Sequence, residues 1–236
     1  MSTLYLIRHG QASFGIQNYD KLSERGVLQS RVFAEHILKN NVLFSACYTG
    51  AMTRHKETLV PLINLYGEKG SASPPVDIIE EFNEYDWLHV ITEIFPQLMK
   101  EDPSLNWDMK KILGDKKTFQ RIFETAILRW VSGNYSSTSL SKWEDFLSRV
   151  HRGIERIMKK HGSGEHVAVF TSGGPIAAVL QKVLNLSNED TVRISWLVVN
   201  ASITRFKFTR ERITLFTFNE HSFLEQYPDD NLVTFR

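Results

Sequence analysis

The chain has 236 residues, with 28 lysines and arginines against 27 aspartates and glutamates, for a formal net charge of +1. So even a balance, without a block of like charge, argues against nucleic acid or an anionic membrane as partner; the single cysteine, Cys47, excludes an internal disulfide and fits a reducing compartment. No basic segment precedes a long apolar one and no apolar run reaches membrane length, so a soluble, cytoplasmic protein is expected.

Residues 3–7 form a near-continuous apolar run, as in the middle of a parallel sheet, and lead directly into Arg8-His9-Gly10. Residues 11–20 are polar and read as a loop. Ser23 is placed to cap a helix whose apolar face is Val27, Leu28, Phe33, Ile37 and Leu38. Residues 43–48 read as a second strand. A second helix follows over 52–66, with Leu59, Leu62, Ile63 and Tyr66 on one side and a kink expected at Pro61. Residues 76–82 read as a third strand, ending in the acidic run Glu81-Phe82-Asn83-Glu84-Tyr85-Asp86-Trp87.

From residue 87 to 160 the pattern is helical, broken at Pro103, at Gly114 and over 133–139. In its last run Trp143, Phe146, Leu147, Val150, Ile154, Ile157 and Met158 keep one face apolar, most simply a core stripe. Residues 167–171 are a further buried strand, turning through Ser172-Gly173-Gly174-Pro175 into a helix. Residues 202–208 and 213–218 read as a hairpin around Arg210-Glu211. The alternation of strands and helices predicts a three-layer α/β fold. Its mostly parallel sheet is flanked by helices, in one domain over 1–236, with a helical insertion at about 88–140 above the carboxyl edge of the strands.

Four pieces carry chemistry. They are Arg8-His9-Gly10, the segment Tyr48-Thr49-Gly50-Ala51-Met52-Thr53-Arg54, the acidic run around Glu84, and Thr171-Ser172-Gly173-Gly174-Pro175. All fall at the carboxyl ends of predicted strands, where an open α/β sheet gathers its chemistry. A guanidinium offers a planar fork to phosphate oxygens, and a neutral imidazole can accept a phosphoryl group covalently. If the strand continues, Glu80, Phe82 and Glu84 share one face and Glu81 the other, so either Glu84 or Glu81 can be the acid.

This set, in this order, resembles the histidine phosphatase superfamily, the phosphoglycerate-mutase-like proteins, over most of the chain. The resemblance implies His9 as the nucleophile and Arg8 and Arg54 as the grip on the transferred phosphoryl group. It implies Glu84 as the acid at the leaving oxygen, and no metal or organic cofactor. Where the family's usual motif has a second histidine followed by glycine, this chain has Ser172 and Gly173. Ser172 is either a plain helix cap or a cap that also touches phosphate, helped by the helix amides after Gly173.

The remaining histidines read as structural. His55 packs or faces water, His166 sits at the wrong end of its strand, His151 and His161 are solvated, and His221 is a distant candidate. Their spacing suggests no metal site, and Gly173-Gly174 lacks the rest of a dinucleotide fingerprint. Lys110, Lys111, Lys116, Lys117 and Arg121 can attract an anion or simply face solvent. Three functions fit: a phosphatase for a small phosphate monoester or, as a variant, a mutase-like phosphotransferase; a phosphate-binding homologue without turnover; and a helical interaction module. The sequence names neither the substrate nor the oligomeric state.

Overall fold

The computed structural model describes residues 1–13, 20–101, 116–227 and 231–235. One six-stranded sheet runs in the order β3-β2-β4-β1-β5-β6. Its strands are β1 (Ser2–Arg8), β2 (Ala46–Thr49), β3 (Val76–Ile78), β4 (His166–Thr171), β5 (Ile203–Phe208) and β6 (Ile213–Glu220). The first four are parallel, β5 is antiparallel to β1, and β6 closes the predicted hairpin.

Among the described residues there are seven α-helices: α1 (Glu24–Lys39), α2 (Thr53–Glu68), α3 (Trp87–Glu101), α4 (Lys116–Ser132), α5 (Trp143–Lys160), α6 (Gly173–Leu184) and α7 (Asn188–Leu197). Alternate strand residues face opposite ways, which makes the three layers. Leu4, Leu6, Tyr48, Val167 and Val169 pack with the helices after Glu84. Tyr5, Ile7, Cys47, Ala168 and Phe170 pack with α1 and α2 on the other face. The Trp143 stripe is core, as expected.

Four expectations are corrected. The buried face of α1 is built from Gly26, Gln29, Ser30, Val32, Phe33, Ala34 and Ile37, while Val27 is exposed. The helix lies so close to the chain after β1 that a Cβ on Gly26 would meet the Gln11 carbonyl oxygen at 2.1 Å. Gln29 is buried because it is used: its Oε1 accepts the Gln11 N–H and its Nε2 donates to the Leu232 carbonyl, both at 2.7 Å. The second strand starts at Ala46, and Leu43 is exposed.

The third strand stops at Ile78, and a 3-10 turn over Glu80–Phe82 replaces the rest. The Arg149 guanidinium donates to the carbonyls of Glu80, Glu81 and Asn83, at 2.7, 3.1 and 2.9 Å, so these groups need no neighbouring strand. Last, His161 is buried between the Tyr48 hydroxyl and Glu165, and His151 is half-buried against the Ala178 carbonyl. Helix α2 runs through Pro61 without a break. The expected breaks at Pro103 and Gly114, with Lys110 and Lys111, lie outside the described residues. No described helix is long and apolar enough to cross a membrane.

Candidate active site

Strand β1 delivers Arg8 and His9 to the carboxyl edge of the sheet, where the His9 N–H donates to the Thr171 carbonyl at 2.8 Å. The Asn200 amide holds the His9 carbonyl at 3.1 Å. The His9 ring places Nδ1 2.6 Å from the Gly10 carbonyl. A carbonyl only accepts, so Nδ1 carries the proton and Nε2 keeps its lone pair. Burial, then the Arg54 and Arg8 charges, hold the His9 pKa well below the usual histidine range. The ring is therefore neutral at physiological pH, as a nucleophile requires.

Arg54 comes from the first turn of α2. Its Nη1 pairs with Asp20 Oδ1 at 2.9 Å, and Asp20 Oδ2 accepts the Thr53 N–H at 2.7 Å. One carboxylate thus fixes both the start of the helix and its arginine. Arg8 Nη1 donates to the Val198 carbonyl.

Glu84 follows the 3-10 turn, which is held on three sides: by Arg149, by the Thr171 hydroxyl donating to the Phe82 carbonyl at 2.7 Å, and by Asn83 Oδ1 accepting the Ala51 N–H at 2.7 Å. Its carboxylate accepts from the Gly174 N–H at 3.0 Å and the Tyr85 N–H at 3.1 Å. A Cβ at 174 would lie 2.0 Å from Glu84 Oε1, so any residue larger than glycine there would displace the carboxylate. Burial pushes the Glu84 pKa up, against the pull of the Gly174 N–H and Arg54. That keeps a proton available for donation at higher pH than an ordinary carboxyl would. Glu81 faces Arg156 at 3.7 Å, and Asp86 caps the start of α3 through the His89 N–H. Neither lines the cleft.

The cleft is lined by Arg8, His9, Arg54, Glu84, Gly173, Gly174 and Asn200, together with a set of aromatic rings. Ser172 sits at the N-cap of α6 but makes no capping bond. Its Oγ lies 2.7 Å from His55 Nε2, and it is 1% exposed beneath the lining. The capping expectation for Ser172 is thereby corrected. The residue does not cap, and its hydroxyl is engaged by a buried imidazole. The Gly174 amide, expected to favour a bound anion, is given to Glu84.

His55 is fully buried, its ring centroid 5.7 Å from that of His9. Burial, then Arg54, lowers its pKa well below the usual range. Its Nδ1 has no hydrogen-bond partner. An orphaned acceptor is more tolerable than an orphaned N–H, so the proton belongs on Nε2, donating to Ser172.

His221 bonds the Asn219 carbonyl and faces Glu225, His166 bonds the Tyr5 hydroxyl, and Arg121 is exposed; none of them lines the cleft. Among the described residues no group of three or more His, Cys, Asp or Glu is arranged to hold a metal ion.

Ser172→His is expected to overpack against His55 and cost about 1–3 kcal/mol. Adding His55→Ala should recover much of that loss. Urea unfolding of both singles and the double variant measures the coupling. A Ser172→His protein as stable as the parent would show that the new ring finds room elsewhere.

The profile of the Histidine phosphatase superfamily (branch 1) matches residues 4–221. A 2,3-bisphosphoglycerate-dependent phosphoglycerate mutase of Bradyrhizobium diazoefficiens is 27% identical over 116 residues, 47% of this chain and 52% of the relative, so the match spans about half the relative's length. Among solved structures, Bacillus stearothermophilus YhfR has a TM-score of 0.65 at 17% identity, over 95% of this chain and 100% of that one. A phosphoserine phosphatase of Entamoeba histolytica, in complex with 3-phosphoglyceric acid, has a TM-score of 0.62 at 18% identity over the same shares. These structural likenesses carry the fold. The profile match runs from β1 to the end of the hairpin, through all four segments of the cleft, and the chain belongs to the histidine phosphatase superfamily, branch 1.

Proposed function

We propose that this protein hydrolyses a small phosphate monoester through a phosphohistidine on His9. The observation that carries the reading is the pairing of a neutral His9, its Nε2 unprotonated, with a half-buried Glu84 of raised pKa in one cleft with Arg8 and Arg54. In the first step the Nε2 lone pair attacks phosphorus, the bond to the ester oxygen breaks, and that oxygen takes the Glu84 proton. In the second, water attacks the phosphohistidine and gives a proton to the Glu84 carboxylate, the P–N bond breaks, and phosphate leaves. The arginines hold the equatorial oxygens throughout, since phosphoryl transfer is mainly positioning and charge neutralisation. Gly173 borders the phosphoryl position, and Ser172 acts from below through its bond to His55.

The test is phosphate release from a panel of phosphate esters, with 3-phosphoglycerate included and its isomerisation followed separately. Turnover with release of inorganic phosphate supports the hydrolase. Isomerisation without release would support the mutase-like reading, in line with the name of the curated relative. Tight phosphate binding with neither activity would make the protein a phosphate-binding homologue.

A further inference from the structure

The rest of the described cleft wall, apart from Ala12 and Ser195, is aromatic. Trp87 of α3, Phe119 and Phe123 of α4, Trp196 of α7 and Phe235 near the carboxyl end all line it, along with Tyr85 beside Glu84. The rings form a connected set: Trp87 stands 6.0 Å from both Phe119 and Phe123 at steep interplanar angles, and Phe123 stands 6.2 Å from Trp196. Trp87, Phe119, Phe123 and Trp196 are half-buried and Phe235 is exposed, so the rings pack together and still face the opening.

Among the described lining residues the only cations are Arg8 and Arg54. Both flank His9 and belong to the phosphoryl group in the reading above. Among the described lining residues a second anionic group on a substrate would meet rings and the Glu84 carboxyl, with no cation beyond Arg8 and Arg54 to balance it, and desolvating such a charge is costly. A flat apolar group would instead meet aromatic faces and edges, which favour offset or edge-on ring contacts.

We propose that the leaving group of the substrate is an aromatic or similarly flat apolar alcohol, seated among Trp87, Phe119, Phe123 and Trp196. The occupant is set by continuity: an ester whose phosphorus is at His9 has its remaining atoms in this same cleft. The proposal rests on the phosphatase reading, and its test is binding, so that the two can fail separately.

The probes are benzylphosphonate, methylphosphonate and 3-phosphonopropionate, which His9 cannot cleave, titrated calorimetrically into the full chain. Benzylphosphonate is expected to bind about 10- to 100-fold more tightly than methylphosphonate, from the apolar area of one ring. In Trp196→Ala and Phe123→Ala that ratio should shrink by about 10-fold. Equal affinity for the benzyl and methyl compounds, or tightest binding of the carboxylate, would overturn the aromatic subsite while leaving the phosphoryl site standing. Absence of binding by all three would bring down the phosphoryl site and the subsite with it.

Discussion

Replacing His9 by alanine is expected to remove turnover altogether, by about 10⁴-fold or more, together with any acid-labile phosphoenzyme. The arginines and Glu84 would survive the change, yet among the described lining residues no other imidazole can take the transferred phosphoryl. His55 is the nearest imidazole, but it is fully buried, with Nε2 engaged by Ser172. Rapid acid and base quenches of enzyme mixed with labelled ester measure the loss. Residual activity with an acid-stable, base-labile label would move the nucleophile to a hydroxyl, and Ser172 would be the first candidate. Inorganic phosphate should still bind the variant, because Arg8 and Arg54 carry most of the charge.

Glu84→Gln is expected to slow esters of poor leaving groups by about 10²- to 10⁴-fold, the usual worth of a positioned acid. Esters of good leaving groups should slow far less, because their oxygen departs without a proton. The amide keeps the shape and one acceptor, so the bond from the Gly174 or Tyr85 N–H survives and the variant should fold. The pH profile gives a second readout. The acid form of Glu84 is the active one for the first step, and its pKa is raised, so activity should fall as pH rises through that value. In Glu84→Gln this alkaline limb should vanish. On the acid side, the lowered His9 pKa places loss of the nucleophile below the usual histidine range, so no His9 limb is expected near pH 6.5, the ordinary value. Equal slowing of good and poor leaving groups would take the acid role away from Glu84.

The parts of this site visible in the sequence are those where a strand ends in the residues that do the chemistry. Arg8-His9 after β1, Arg54 after β2 and the turn after β4 could be placed because strand and motif are contiguous. Around Glu84 the alternation argument fails, because the residues before it form a 3-10 turn; between Glu81 and Glu84, only the family resemblance singles out Glu84. What places its carboxylate is Arg149, a residue of α5, with the hydroxyl of Thr171. Such capture by distant side chains leaves no local period. Asp20 was hidden in a polar loop, since nothing in its neighbours says that it will meet Thr53 and Arg54. The burial of Gln29 and Ser30 escaped an apolar-face reading because hydrogen bonds, not apolarity, make it affordable. The aromatic wall was unreadable for the same reason as Glu84, being assembled from three helices and a chain end. Even His55, adjacent to a site arginine, could only be read as packing or facing water, because its partner lies 117 residues away.

That partnership constrains how this chain can vary over time. Positions 55 and 172 share one buried volume and one hydrogen bond, so a change at either is felt at the other. Shrinking His55 alone strands a hydroxyl, and enlarging Ser172 alone collides with a ring. A lineage carrying this pair would therefore have to cross a less fit intermediate to exchange the two side chains, unless both codons changed together. Sequences that share the cleft are then expected to fall into two groups, one with a large residue at 55 and a small one at 172, the other the reverse, with mixed forms scarce.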